Sequence, residues 1–176
     1  MALSVEGIDI AALILRLSAG LTIIAHGWNH AFGGGRIAGT AGWFESMGLR
    51  PGRLHALMAT GTELGAGALL VLGLLTPLAA AGVVGTMLVA LITAHLRNGF
   101  FIFRPGQGYE YVLMIICLCC GLGALGGGSV SLDAAFGIAD ALDGWTGLAI
   151  SAGAGGLGAA LLLVACWRPA GARDSG

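Results

Sequence analysis

The residues able to do chemistry are few in this chain, and they are grouped. The four histidines sit at the ends of apolar runs: His26 and His30 close the first, His55 opens the second and His95 closes the third, with Asn98 and Glu110 at the same level. His26 and His30 are one helical turn apart and share a face. Such a layer can ligate a metal or haem, relay protons, or hydrogen-bond a quinone head group; helix ends at a membrane interface also carry histidine with no chemical role. Two ionisable residues stand deeper, Arg16 in the first run and Glu63 in the second. At 1.5 Å per residue, Arg16 lies on the order of 20 Å, and Glu63 about 14 Å, from the same edge of the membrane. An ion at that depth costs several kcal/mol and has a partner or a function. The expectation is an Arg16–Glu63 pair, acting as a structural clamp or as part of a site. Cys117-Leu118-Cys119-Cys120 contains a C-x-x-C, the spacing of redox thiols, so Cys117 and Cys120 are candidates for that role. No acid or base adjoins them to activate a thiol, and cysteine also serves as a small apolar filler.

The elements that must position these groups follow from composition. Of 176 residues, 57% are hydrophobic and 10% charged, against about 25% charged in a soluble domain. That excludes a soluble globule, and with a net charge of -1 it excludes a nucleic-acid binder, which needs a basic surface. All of the cations are arginine, beside 33 glycines, the codon signature of a GC-rich bacterial genome. A membrane-crossing helix needs about 20 mostly apolar residues, and five segments qualify: roughly 8–30, 54–75, 78–96, 108–125 and 145–167. Thr76-Pro77 separates the second from the third as a helix stop and new start. The N-terminal flank is acidic (Glu6, Asp9) and its run continues into Trp28, so it reads as a permanent span rather than a signal peptide. The fold class is all-α: a polytopic membrane bundle with a four-helix core (1–136), then an outer loop, fifth span and tail (137–176).

Five spans sort the loops by side. One side holds Arg36, Arg50, Arg53, Arg97, Arg104, Arg168 and Arg173; the other holds no Lys or Arg. The positive-inside rule then puts the N-terminus outside and the C-terminus in the cytoplasm, in a bacterial plasma membrane. Gly61 and Gly65 form a G-x-x-x-G with Gly67 nearby, and Gly82, Gly85, Gly153, Gly155, Gly156 and Gly158 lighten later spans. These predict close helix packing or a homo-oligomer seam. Between the first two spans, Ile37, Ala41, Phe44 and Met47 recur at helical spacing, predicting a short helix in the interface or a lid over a cavity.

Several stretches resemble the DoxX family of membrane proteins. His26-Gly27-Trp28-Asn29-His30-Ala31-Phe32-Gly33 is similar to that family's H-G-x-x-K-x-F-G, with His30 where lysine is frequent. Gly39-Thr40-Ala41-Gly42-Trp43-Phe44-Glu45-Ser46-Met47-Gly48-Leu49 resembles its G-T-A-G-F-F-x-x-x-G-L. Glu63-Leu64-Gly65-Ala66-Gly67 with Gly73-Leu74-Leu75-Thr76-Pro77 resembles its second span. His95 with Asn98-Gly99-Phe100-Phe101, Gly108-Tyr109-Glu110-Tyr111 and Ser131-Leu132-Asp133 continue the order, over about residues 8–136. The resemblance implies a four-helix membrane core and a link to quinone-coupled sulfur oxidation or to membrane complexes for redox stress.

Three functions are then expected to compete. One is a redox-linked subunit binding a quinone or small sulfur compound between spans one to four near the cytoplasmic face, with Arg16, His26, His30, Glu63, His95, Asn98 and Glu110 as its polar layer. No motif specifies a cofactor, metal or haem, so electrons must pass through the quinone or a redox-enzyme partner. The second is a non-enzymatic scaffold or assembly factor recruiting proteins through the arginine-rich face. The third is a small transporter, disfavoured by the lack of an inverted repeat.

Overall fold

A computed structural model describes residues 5–169. It is built from helices: α1 (Val5–Phe32), α2 (Arg36–Ser46), α3 (Gly52–Leu72), α4 (Thr76–Ala90), α5 (Glu110–Leu125), short turns α6 (Leu132–Ala135), α7 (Ala139–Leu142) and α8 (Gly144–Leu148), and α9 (Gly155–Cys166). A π-helical turn, Leu91–His95, and a 3-10 turn, Leu96–Asn98, extend α4; another π turn, Ala149–Ala154, joins α8 to α9. Among the described residues four helices are long and apolar enough to cross a membrane: Gly7–Phe32, Gly52–Leu72, Thr76–Asn98 and Gly144–Cys166.

The remaining expected span, 108–125, is shorter in the structure, an apolar helix over Glu110–Leu125. Its start is delayed because the preceding loop takes the backbone donors: Gly108 N donates to Phe101 O, Tyr109 N to Gly99 O and Glu110 N to Phe100 O, at 2.9–3.1 Å. Pro77 falls in the first turn of α4, where its missing N–H costs nothing.

α1, α3, α4 and α5 pack in sequence around the core, α1 also touching α5, and α9 lies against α4. Buried Ile23, Leu70, Val83, Val84, Ile115 and Leu122 fill the centre. Within the chain, only some of these glycines make close contacts. Gly61 and Gly65 face outward, and a Cβ on either would meet nothing within 4 Å. The close approach is between α1 and α3 at Gly20 and Gly67: a Cβ at Gly20 would lie 2.7 Å from Gly67 O, and one at Gly67 2.8 Å from Gly20 O. In the last span Gly155 packs on backbone, 2.7 Å from Ala81 O by the same measure, while Gly153 of the preceding π turn and Gly156 and Gly158 of α9 are open.

The two ends of the bundle differ. At one lie α2, the α2–α3 turn, the loop after α4 and the C-terminal end of α9, with Arg36, Arg50, Arg53, Arg97, Arg104 and Arg168 all exposed. There the end of α9 is sewn to the turn before α3: Leu49 and Trp167 form an antiparallel bridge, Arg50 N donates to Cys166 O at 3.2 Å, Arg168 N to Gly48 O at 2.8 Å, and Trp167 Nε1 to Met47 O at 2.9 Å. Arg173 and the Glu6 side chain lie outside what is described. At the other end, the loop 126–131 docks on α1, with Ser129 N donating to Asp9 Oδ1 at 2.7 Å.

Candidate functional site

Arg16 and Glu63 do not pair. Arg16 is fully buried near the end that carries the α3–α4 turn. Its guanidinium donates to Leu70 O at 3.2 Å, to Val71 O at 3.3 Å and to Val130 O. Two are carbonyls of the last turn of α3, at the negative end of its dipole, and the third belongs to the outer loop; Leu70 O also accepts from Gly73 N at 3.1 Å. Asp133, 1% exposed, does the converse for α4. Its Oδ1 accepts from Leu75 N at 2.7 Å, and its Oδ2 from Thr76 N at 3.0 Å and Thr76 Oγ1 at 2.8 Å. Leu75 holds a positive φ of 49°, and the carboxylate fixes it there. One buried cation and one buried anion thus close the α3–α4 turn from both helix ends, and the charge of Asp133 acts on Arg16. The pair is a clamp, set apart from the histidines.

Glu63 takes a histidine partner instead. His30 Nδ1 and Glu63 Oε2 are 2.9 Å apart, close enough to pair as ions. The alignment falls short of a hydrogen bond, so both atoms are buried without one. Glu63 is 3% exposed. Both residues line a cavity of about 790 Å³ that also receives His26, His55, His95, Gln107 and Tyr111. The histidines of α1, α3 and the α4 extension therefore face one space. His26 stacks on Tyr111 with ring centroids 6.3 Å apart, and His30 meets the edge of Phe44 at 6.1 Å. His55 Nε2 contacts Arg50 O at 3.3 Å, leaving its buried Nδ1 unpartnered. His95 Nδ1 donates to Gln107 O at 3.0 Å. His95 ends the π turn, and a π turn re-aims the side chains of one helix end without breaking it.

Asn98 and Glu110 belong to the loop rather than to the cavity. Asn98 Nδ2 donates to Ala94 O at 2.9 Å, Gly106 O at 2.7 Å and Gln107 O at 3.1 Å. Glu110 Oε1 accepts from Ile102 N at 3.1 Å. They fold the segment that carries Gln107. The remaining wall is apolar: Trp43, Phe44 and Met47 from α2 and its end, Val89 and Met87 from α4, and Ala154, Gly155, Gly158, Ala159 and Leu162 from the last span. α2 thus forms part of the cavity wall. Sequence reasoning missed the part played by α9, whose small residues read only as packing, and by Tyr111, whose signal was its place one turn above the core position Ile115.

Cys117, Cys119, Cys120 and Cys166 are all free thiols, and none lines the cavity. Among the described residues no three His, Cys, Asp or Glu side chains converge to hold a metal ion.

A bundle of apolar helices with exposed arginines gathered at one end and polar groups lining a cavity defines a polytopic helical membrane protein in a lipid bilayer. Residues 11–96 match the sequence model of the DoxX family. The chain carries a DoxX domain there. That span holds Arg16, all four histidines and Glu63; the pieces from Asn98 onward, and α9, lie beyond it. No curated protein and no solved structure matches the chain.

Proposed function

We propose that the protein is a redox-linked subunit of the bacterial cytoplasmic membrane that holds a quinone or small sulfur compound in this cavity, near the cytoplasmic face. The observation that carries the reading is the buried His30–Glu63 pair, 2.9 Å apart, with the unpartnered His55 Nδ1 lining the same largely apolar space of about 790 Å³. A buried polar atom left unsatisfied costs about 1–3 kcal/mol, and a ligand carbonyl or hydroxyl restores the bond. His30 lines the cavity and is placed to donate to a ligand oxygen, with Glu63 held against its Nδ1. His55 Nδ1 offers a second polar contact. A quinone bound there supplies the electron-carrying chemistry, and a redox-enzyme partner at the arginine-rich end supplies or removes the electrons. That end faces the cytoplasm by the positive-inside rule, which puts the N-terminus outside.

Purification in native lipid followed by extraction and mass spectrometry tests the reading. A quinone is expected with the wild-type protein and is expected to be lost from H30A and from E63Q. Absence of any quinone or sulfur compound from the wild type, with no binding on titration, overturns it. The competing scaffold reading draws on one feature, the exposed Phe100, Phe101 and Phe103 beside Arg97 and Arg104. It predicts a protein retained through that loop and no bound small molecule.

A further inference from the structure

The cavity is larger than a head group requires. A space of about 150 Å³ already holds a benzene ring, and this one measures about 790 Å³. Its lining draws on α1, α3, α4, α5 and α9. At one end stand His26 and Tyr111, on α1 and α5. At the other stand Met58 of α3 and Gly158 of α9. Met58 and Gly158 line the cavity while remaining exposed, so the space reaches the lipid-facing surface between α3 and α9. Two glycines of α4 keep the passage open. A Cβ at Gly82 would lie 3.2 Å from Thr62 Cγ2, and one at Gly85 3.2 Å from Gly155 O, whereas a Cβ at Gly158 would meet nothing within 4 Å. The passage is joined to the buried His30–Glu63 pair and to the buried, unpartnered His55 Nδ1, so it ends on a site rather than on packing.

We propose that the gap between α3 and α9 is a lateral portal to the bilayer, occupied by the hydrocarbon tail of a membrane-dissolved quinone whose ring sits at the His30–Glu63 end. The inference rests on the head-group reading above and narrows it: the ligand is a tailed, lipid-soluble quinone rather than a water-soluble sulfur compound. The two mouths differ in chemistry. An alkyl chain gains nothing from the imidazole and phenol of the His26–Tyr111 mouth. At the Met58–Gly158 mouth it meets only apolar walls and then lipid, which is as apolar as those walls. A ligand concentrated in the bilayer also enters there without passing through water. The portal is shaped by α9, outside the matched DoxX segment.

The test uses the full chain in lipid nanodiscs, with decylubiquinone and its tail-less ring counterpart, 2,3-dimethoxy-5-methyl-1,4-benzoquinone, as probes. Each variant is compared with wild type in the same bilayer, so partitioning of the probe cancels. G158F, which fills the mouth, is expected to weaken decylubiquinone binding by about tenfold or more, the scale of a blocked apolar subsite, while leaving the tail-less ring within about twofold. G156F, one position off the cavity lining, is expected to change neither. M58W closes the mouth from the opposite wall and is expected to repeat the G158F result, which guards against a folding defect in one variant. If G158F and M58W weaken both probes equally, or neither probe, the portal is overturned while the head-group reading stands. If wild type binds neither probe, the head-group reading falls and the portal falls with it.

Discussion

Replacing Arg16 with methionine keeps much of the side-chain volume and removes the cation. The structure sets the cost. Val71 O and Val130 O lose the Arg16 donor, Leu70 O keeps only Gly73 N, and Asp133, 1% exposed, loses the buried positive charge of Arg16. Breaking a buried charge pair by removing one partner costs about 3–5 kcal/mol. At roughly 2–4 °C per kcal/mol for a chain of this size, R16M is expected to melt about 6–20 °C below wild type. The assay is thermal: aliquots of detergent-solubilised protein are heated, cleared and read by fluorescence size exclusion. A double-mutant cycle then asks which acid is the partner. R16M with D133N is expected to show a coupling energy of about 0.5–3 kcal/mol, whereas R16M with E63Q is expected to add within about 0.3–0.5 kcal/mol. A melting shift near zero for R16M, or coupling to Glu63 instead of Asp133, refutes the clamp.

Other outcomes follow from the same contacts. T76V removes the hydroxyl that donates to Asp133 Oδ2 at 2.8 Å and is expected to cost about 1–2 kcal/mol, measured as a lower melting temperature. G67A drives a Cβ to 2.8 Å from Gly20 O and is expected to destabilise by about 1–3 kcal/mol. G61A and G65A, with open space around them, are expected to melt with wild type in the same assay, and a large loss there would revive the G-x-x-x-G contact. The double variant C117S/C120S is expected to leave quinone retention unchanged, since neither thiol lines the cavity; loss of retention in the extraction assay would give the thiols a role.

The bundle itself was legible in the sequence because lipid imposes a length rule. Apolar runs near 20 residues, broken at Thr76-Pro77, mark spans whatever they pack against. The gathering of His26, His30, His55 and His95 was legible for a similar reason, since alternating spans bring their ends to the same side. The partner of Arg16 was not legible. Counting residues fixes depth along a helix but not rotation about it, and the acceptors were backbone carbonyls, which every residue carries. Glu63 could be placed at membrane depth by sequence, yet its choice of His30 over Arg16 depended on the α1–α3 crossing at Gly20 and Gly67. The glycines show the same limit: Gly61-x-x-x-Gly65 has the recognised spacing, but that face turns outward. The contribution of α9 to the cavity was hidden because Gly155 and Gly158 carry no chemistry, only room.

The seam between Leu49 and Trp167 has a consequence for the timing of biosynthesis. A ribosome adds about 5–20 residues per second, so the two sides of that bridge emerge roughly 6–24 s apart. During the interval α1 to α5 can enter the bilayer and bring the histidines together. Leu49, 2% exposed in the finished protein, waits without its cover. Translation therefore delivers the polar chamber first and its final wall last. A chain halted before α9 would present the His30–Glu63 pair to lipid and water through an unfinished side.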